Sequence, residues 1–241
     1  MKSKIGTFSI IDGTVSVEIL SNFLDFLILD SEHGLDSYSN QRIRYLSSKR
    51  KDTEVYIRVD CLDRISIQKM LEINPDGIMI PQISSLSDAK EAINFSFYPP
   101  IGTRGVSPYT KVFDYRNVEI ENKKKNTNRN LKLCLLIEGK GGLSALPEIL
   151  KNYANLIHMI YFGLFDFSNS LSLEADLKNP VILDGLKQII KICKSHKVFS
   201  GTIAPDKNTL SILKKLGVNY IVYKNDSEIL IDGINLINDI S

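Results

Sequence analysis

The 241-residue chain has no long apolar run, and none approaches the roughly 20 residues needed to cross a bilayer. Its first residues, Met1-Lys2-Ser3-Lys4-Ile5, carry no signal-peptide core and pass directly into a strand-like run. Cysteine is scarce: Cys61, Cys134 and Cys193 are too few and too scattered for a disulfide framework or a zinc cluster. An excess of one charge is also missing, with 30 Lys+Arg against 28 Asp+Glu and a net charge of +2. Phosphate binding needs clustered basic residues, so no nucleic acid is expected as a partner, and no membrane. What remains, with 43% apolar and 24% charged residues, is an ordinary soluble globular composition, expected in the cytoplasm.

Against these absences stands a regular alternation. Short apolar runs occur at Ile5 to Ile10, Phe26 to Leu29, Val55 to Ile57, Gly77 to Ile80, Leu131 to Ile137, His158 to Phe162, Val198 to Ile203 and Tyr220 to Val222. Between them lie stretches with helical spacing. In Pro180 to Lys194, for example, Ile182, Leu186, Ile189 and Cys193 fall on one face. Strands alternating with helices give a parallel sheet, and near-continuous apolar strands indicate burial on both faces. Eight such units in a chain of this length predict an α/β fold, a single (β/α)8 TIM barrel spanning residues 1–241 as one domain. An open doubly wound sheet would want a glycine fingerprint after its first strand, where this chain has Ile11-Asp12-Gly13-Thr14. The longest connection, Pro99 to Asn130, is expected to be a lid or flexible loop, with Lys123-Lys124-Lys125 simply solvated.

In such a barrel the chemistry gathers where the strands end. Strand two ends Asp30-Ser31-Glu32-His33, strand three Arg58-Val59-Asp60, strand five Glu138-Gly139, strand six Gly163-Leu164-Phe165-Asp166 and strand eight Lys224-Asn225-Asp226. Glu138 and Asp166 close adjacent strands, so the pair either shares one hard divalent cation or caps the helices that follow. Asp30 and His33 share one turn, where a carboxylate fixes an imidazole's tautomer and raises its basicity, as a general base requires. Arg58 is placed to hold a carbonyl or enolate oxygen, or to pair with a rim carboxylate such as Asp30 or Glu138. His158, at the start of strand six, reads as structural, and His196 as solvated.

Phe26-Leu-Ile-Leu-Asp-Ser-Glu-His33, Val55-Tyr-Ile-Arg58, Tyr98-Pro-Pro-Ile-Gly-Thr-Arg-Gly-Val106, Leu136-Ile-Glu138 and Phe162-Gly-Leu-Phe-Asp-Phe-Ser168 resemble, in that order, the motifs of the HpcH/HpaI aldolases. These are class II, metal-dependent pyruvate aldolases, and the resemblance runs from Ile5 to about Asp226. It implies reversible retro-aldol cleavage of a 4-hydroxy-2-oxo acid to pyruvate and an aldehyde. Carried over by position, Glu138 and Asp166 would hold Mg2+, Mn2+ or Co2+, and Arg58 would donate to the oxygen that becomes an enolate. His33, oriented by Asp30, would relay a proton at the aldol hydroxyl. Backbone N–H groups near Phe165 and Asp166 would receive the carboxylate. Glu72 matches an acidic position that approaches the histidine from a neighbouring subunit, and the resemblance implies a homo-oligomer, a hexamer built as a trimer of dimers.

Three positions depart from the pattern. Leu136 stands where many relatives carry Gln, Leu164-Phe165 where many carry Pro-Ala, and Lys224 where a small residue is usual. A bulky Phe165 would reshape the pocket, and Lys224 would either bind an acidic aldehyde or sit on the surface. Other readings are a Schiff-base aldolase using Lys140 or Lys224, an acyl-CoA carbon–carbon lyase like the citrate lyase β-subunit group, and a non-catalytic protein that binds an oxo acid.

Overall fold

All eight apolar runs form strands, and each pairs in parallel with the next. A computed structural model describes residues 2–35, 37–48 and 53–238. The strands are β1 Lys4–Ser9, β2 Phe26–Asp30, β3 Glu54–Arg58, β4 Gly77–Ile80, β5 Lys132–Ile137, β6 Met159–Phe162, β7 Phe199–Ala204 and β8 Tyr220–Asn225. β8 pairs with β1 and closes the barrel, which is the α/β TIM-barrel architecture expected from the alternation. β2, β4 and β6 are buried throughout, as strands covered on both faces must be.

The helices are α1 Thr14–Phe23, α2 Tyr38–Ser48, α3 Arg64–Glu72, α4 Leu86–Ser96, α5 Ile120–Asn130, α6 Lys140–Tyr153, α7 Leu164–Asn169, α8 Pro180–His196, α9 Lys207–Leu216 and α10 Asp226–Asn238. α8 lays Ile182, Leu186, Ile189 and Cys193 on the core, the face its spacing indicated. α9 starts at an Asp206 side-chain cap and stops at Gly217 in the left-handed region.

The long connection differs from expectation. It contains a short 3₁₀ helix, Lys111–Phe113, and then α5, which buries no residue. α5 has almost no apolar side chains, so helical periodicity had nothing to show there. Polar contacts fix it instead: Asn128 bonds both backbone polar groups of Tyr98, and Lys123 bonds Phe113 O and Asp114. No described helix is long and apolar enough to cross a membrane.

At the seam between β8 and β1, buried Asp226 accepts hydrogen bonds from Ser9 Oγ and from the backbone N–H groups of Ile10 and Ile11. Arg44 of α2 reaches the same Ser9 through its carbonyl and hydroxyl. At the other end of the barrel, Glu54 collects Lys4, Lys132, Tyr56 and Tyr220.

Candidate active site

A cavity of about 320 Å³ opens at the C-terminal ends of the strands. Asp30, His33, Arg58, Glu138, Phe165 and Asp166 all line it, so the structure brings six of the seven candidate residues together.

β2 and β3 are in register with Asp30 opposite Arg58. Arg58 Nε donates to Asp30 Oδ1 at 2.9 Å and Nη2 to Oδ2 at 2.6 Å, a bidentate pair. Nη1 lies 2.8 Å from Glu32 Oε2, and the guanidinium sits 4.6 Å over the Phe8 ring. Burial by itself would make the guanidinium less basic, but the two carboxylates outweigh it and hold Arg58 firmly charged. Two of its five N–H groups donate to Asp30, while Nη1 lies close to Glu32 without forming a hydrogen bond to it.

This arrangement corrects the expected link between Asp30 and the His33 imidazole. Both Asp30 oxygens face Arg58, and the turn is closed by Glu32 N–H and His33 N–H donating to Oδ1. Among the described residues Asp30 therefore holds the backbone of His33, not its ring. The imidazole acts instead on Glu32, whose carboxyl is pushed up by burial and drawn down by Arg58 and His33.

Glu138, immediately after β5, accepts one hydrogen bond, from the backbone N–H of Gln82 at 3.0 Å. Its Oε1 is buried and has no hydrogen-bond partner among the described residues. Burial, followed by the neighbouring negative charges of Glu32 and Asp166, pushes its carboxyl up to about 7. A Cβ at position 163 would fall 2.7 Å from Glu138 Cγ, so Gly163 lets Glu138 lie against the end of β6. Asp166 sits in the first turn of α7 and is exposed, and its side chain makes no hydrogen bond among the described residues. Neither carboxylate caps a helix: α6 and α7 follow Gly139 and Gly163 without a side-chain cap. Among the described residues no three His, Cys, Asp or Glu groups form a ready cage. A hard cation with two carboxylate ligands completes its shell with water and substrate oxygens. The orphaned Oε1 of Glu138 is the kind of donor atom such an ion takes.

Gln82 was not singled out as a site residue. Its backbone is left-handed, at φ 60°, which aims its N–H at Glu138 while Nε2 lies 3.3 Å from Glu32 Oε1. Phe8 and Tyr161 also line the cavity and were missed. The signal available was the inward alternation along β1 and β6, but apolar strand positions ordinarily read as core.

The remaining candidates lie elsewhere. Glu72 is on α3, where Gln68 donates to it at 3.3 Å, and it lines a separate surface groove with Arg42 and Lys69. Lys224 pairs with Asp232 of α10 at 2.6 Å, which raises its proton affinity, the opposite of what a Schiff-base lysine needs. Lys140 is exposed at the start of α6, outside the cavity lining. His158 bonds the Tyr220 hydroxyl at the opposite end of the barrel, and burial lowers it to about 4.

Residues 14–232 match the HpcH/HpaI aldolase/citrate lyase family. The chain belongs to that family. HpcH/HpaI proteins are carbon–carbon lyases and aldolases, and the 5-keto-4-deoxy-D-glucarate aldolase of Shigella boydii is 23% identical over 230 residues, covering 92% of this chain and 86% of that one. Among solved structures, an HpcH/HpaI aldolase/citrate lyase family protein from Burkholderia cenocepacia superposes with a TM-score of 0.91 at 18% identity, over 99% of this chain and 94% of that one. An HpcH/HpaI aldolase from Desulfitobacterium hafniense does so with 0.86 at 23%, over 98% and 93%. These two likenesses bear on the fold.

Proposed function

We propose that this HpcH/HpaI member cleaves a 4-hydroxy-2-oxo acid reversibly to pyruvate and an aldehyde, with a divalent ion held by Glu138 and Asp166. The observation that carries the reading is the buried, unpartnered Oε1 of Glu138 in the same cavity as Asp166 and Arg58. Mg2+, Mn2+ or Co2+ there supplies Lewis-acid polarisation of the 2-oxo group.

The chain's own residues do the rest. Arg58, fixed by its bidentate pair with Asp30, turns an N–H group that Asp30 does not take to the 2-oxo oxygen as negative charge grows there. His33 takes the proton of the 4-hydroxyl. The C3–C4 bond then breaks, and its electron pair passes into the enolate between C2 and C3. The aldehyde leaves, C3 takes up a proton to give pyruvate, and His33 gives up the one it took from the 4-hydroxyl, so that no proton is gained or lost overall. Backbone N–H groups of Phe165 and Asp166, in the first turn of α7, receive the carboxylate. Phe165 stands half-exposed at the cavity and narrows the pocket beside the carboxylate.

The proposal includes a homo-oligomer, with the hexamer as its expected form. A mostly apolar groove between α1 and α10, flanked by exposed Ile19, Leu230, Ile234 and Ile237, supports it.

Exchange of pyruvate methyl protons in D2O, followed by NMR, tests the reading without knowledge of the aldehyde. Exchange is expected with at least one of the three ions, and Glu138→Ala and Asp166→Ala should each abolish it. No exchange with any of them overturns the proposal.

A further inference from the structure

The ion pairs leave one polar group on the cavity floor unused. Tyr161, on β6, is 2% exposed and lines the cavity, yet its hydroxyl has no hydrogen-bond partner among the described residues. Buried hydroxyls in folded proteins are almost always bonded. The chain itself shows the contrast, since the buried Tyr56 and Tyr220 hydroxyls both donate to Glu54 at 2.9 Å.

The surroundings of Tyr161 indicate what the missing partner is. Its ring meets Phe8 edge-on at 5.8 Å, and the Arg58 guanidinium lies over that same Phe8 ring. Phe8 is thus the floor between a phenol and a cation. Leu136 and Ile203, the nearby lining of β5 and β7, bring no polar side chain that competes for the hydroxyl. Burial keeps the phenol protonated, so it is a donor seeking an acceptor.

We propose that the Tyr161 hydroxyl donates a hydrogen bond to an oxygen of the bound 2-oxo acid, which makes Tyr161 a substrate-binding residue. This rests on the retro-aldol reading above. The 2-oxo oxygen then lies toward the floor, between Arg58 and Tyr161, with the carboxylate at the start of α7.

Tyr161→Phe removes the hydroxyl and leaves the ring on Phe8. The probe is oxalate, a planar and unreactive mimic of the pyruvate enolate, titrated calorimetrically with Mg2+ present, alongside methyl exchange of pyruvate and thermal melting. A hydrogen bond to a charged acceptor predicts roughly tenfold to hundredfold weaker oxalate binding, with slower exchange. The melting temperature of the free variant should be unchanged or higher. Equal oxalate affinity in wild type and variant overturns the assignment and leaves the retro-aldol reading standing. A variant that melts several degrees lower also overturns it, because the hydroxyl then has a partner within the fold. A wild type that neither binds oxalate nor exchanges pyruvate removes both proposals.

Discussion

At the N-terminal ends of the strands Glu54 is held by four donors; at the C-terminal ends Glu138 is held by one. Lys4 Nζ and Lys132 Nζ reach Glu54 Oε1 at 2.6 and 2.7 Å, and two tyrosine hydroxyls satisfy Oε2. Burial alone would raise the Glu54 carboxyl, but the two ammonium groups and the hydroxyls draw it down to about 2. Glu138 has comparable burial without those donors and moves the other way, to about 7. The same residue type is a completed structural joint at one end and an open valence at the other. On the proposed function, chemistry is kept to the open end and the joint at Glu54 to the other, as the strand polarity of this fold allows.

The comparison breaks most sharply at Arg58, the cation that two carboxylates at the open end face. Arg58→Ala strands Asp30, which is 2% exposed, together with Glu32, and should cost about 3–5 kcal/mol in urea unfolding along with all exchange activity. A smaller loss would mean that water already screens the pair. Next comes Glu54→Gln, which keeps the shape and removes the charge. It should cost about 1–2 kcal/mol, after allowance for partial solvent screening, and leave pyruvate exchange intact. Loss of exchange at normal fold would end the idea that the two ends are independent.

The smallest expected effect is in the pH dependence. Glu54 is depressed in the folded state, so its contribution is present above its unfolded value of 4.5 and fades as pH falls toward about 2. His158, lowered to about 4, also costs stability as pH falls below 6.5. Glu138 is raised, so its linkage runs the opposite way: stability is lost as pH rises from 4.5 through about 7. With metal chelated away, Glu138→Gln should flatten that upper decline, by about 1 kcal/mol after screening, and leave the acid side untouched. Melting temperatures across the pH range read both arms. An unchanged upper arm in the variant would show that Glu138 does not titrate there.

Most of the barrel was legible because strands buried on both faces are written as continuous apolar runs. β8 extends past Val222 to Asn225, since the pairing with β1 continues where the apolar pattern stops. α5 was illegible for the complementary reason, being a helix with no buried face, held by polar contacts that have no period. Asp30, Arg58 and Glu138 were readable as ionisable residues at the ends of apolar runs. The pairing of Arg58 with Asp30 was one of the alternatives open to it, beside Glu138, and the choice between them rests on the register that sets Asp30 opposite Arg58, a property of two strands and not of either one. Gln82 depends on a left-handed backbone at a residue other than glycine, which no side-chain pattern announces. Tyr161 reads as one more core aromatic in the sequence, because an unpartnered hydroxyl among the described residues is visible only in the fold.

Asp226 opens α10 and also grips residues 9 to 11, directly beyond the strand that carries Phe8. That carboxylate is a clasp across the closing seam of the barrel: it holds the first turn of α10 against the residues that follow Phe8, beside the strand pairing that joins β8 to β1.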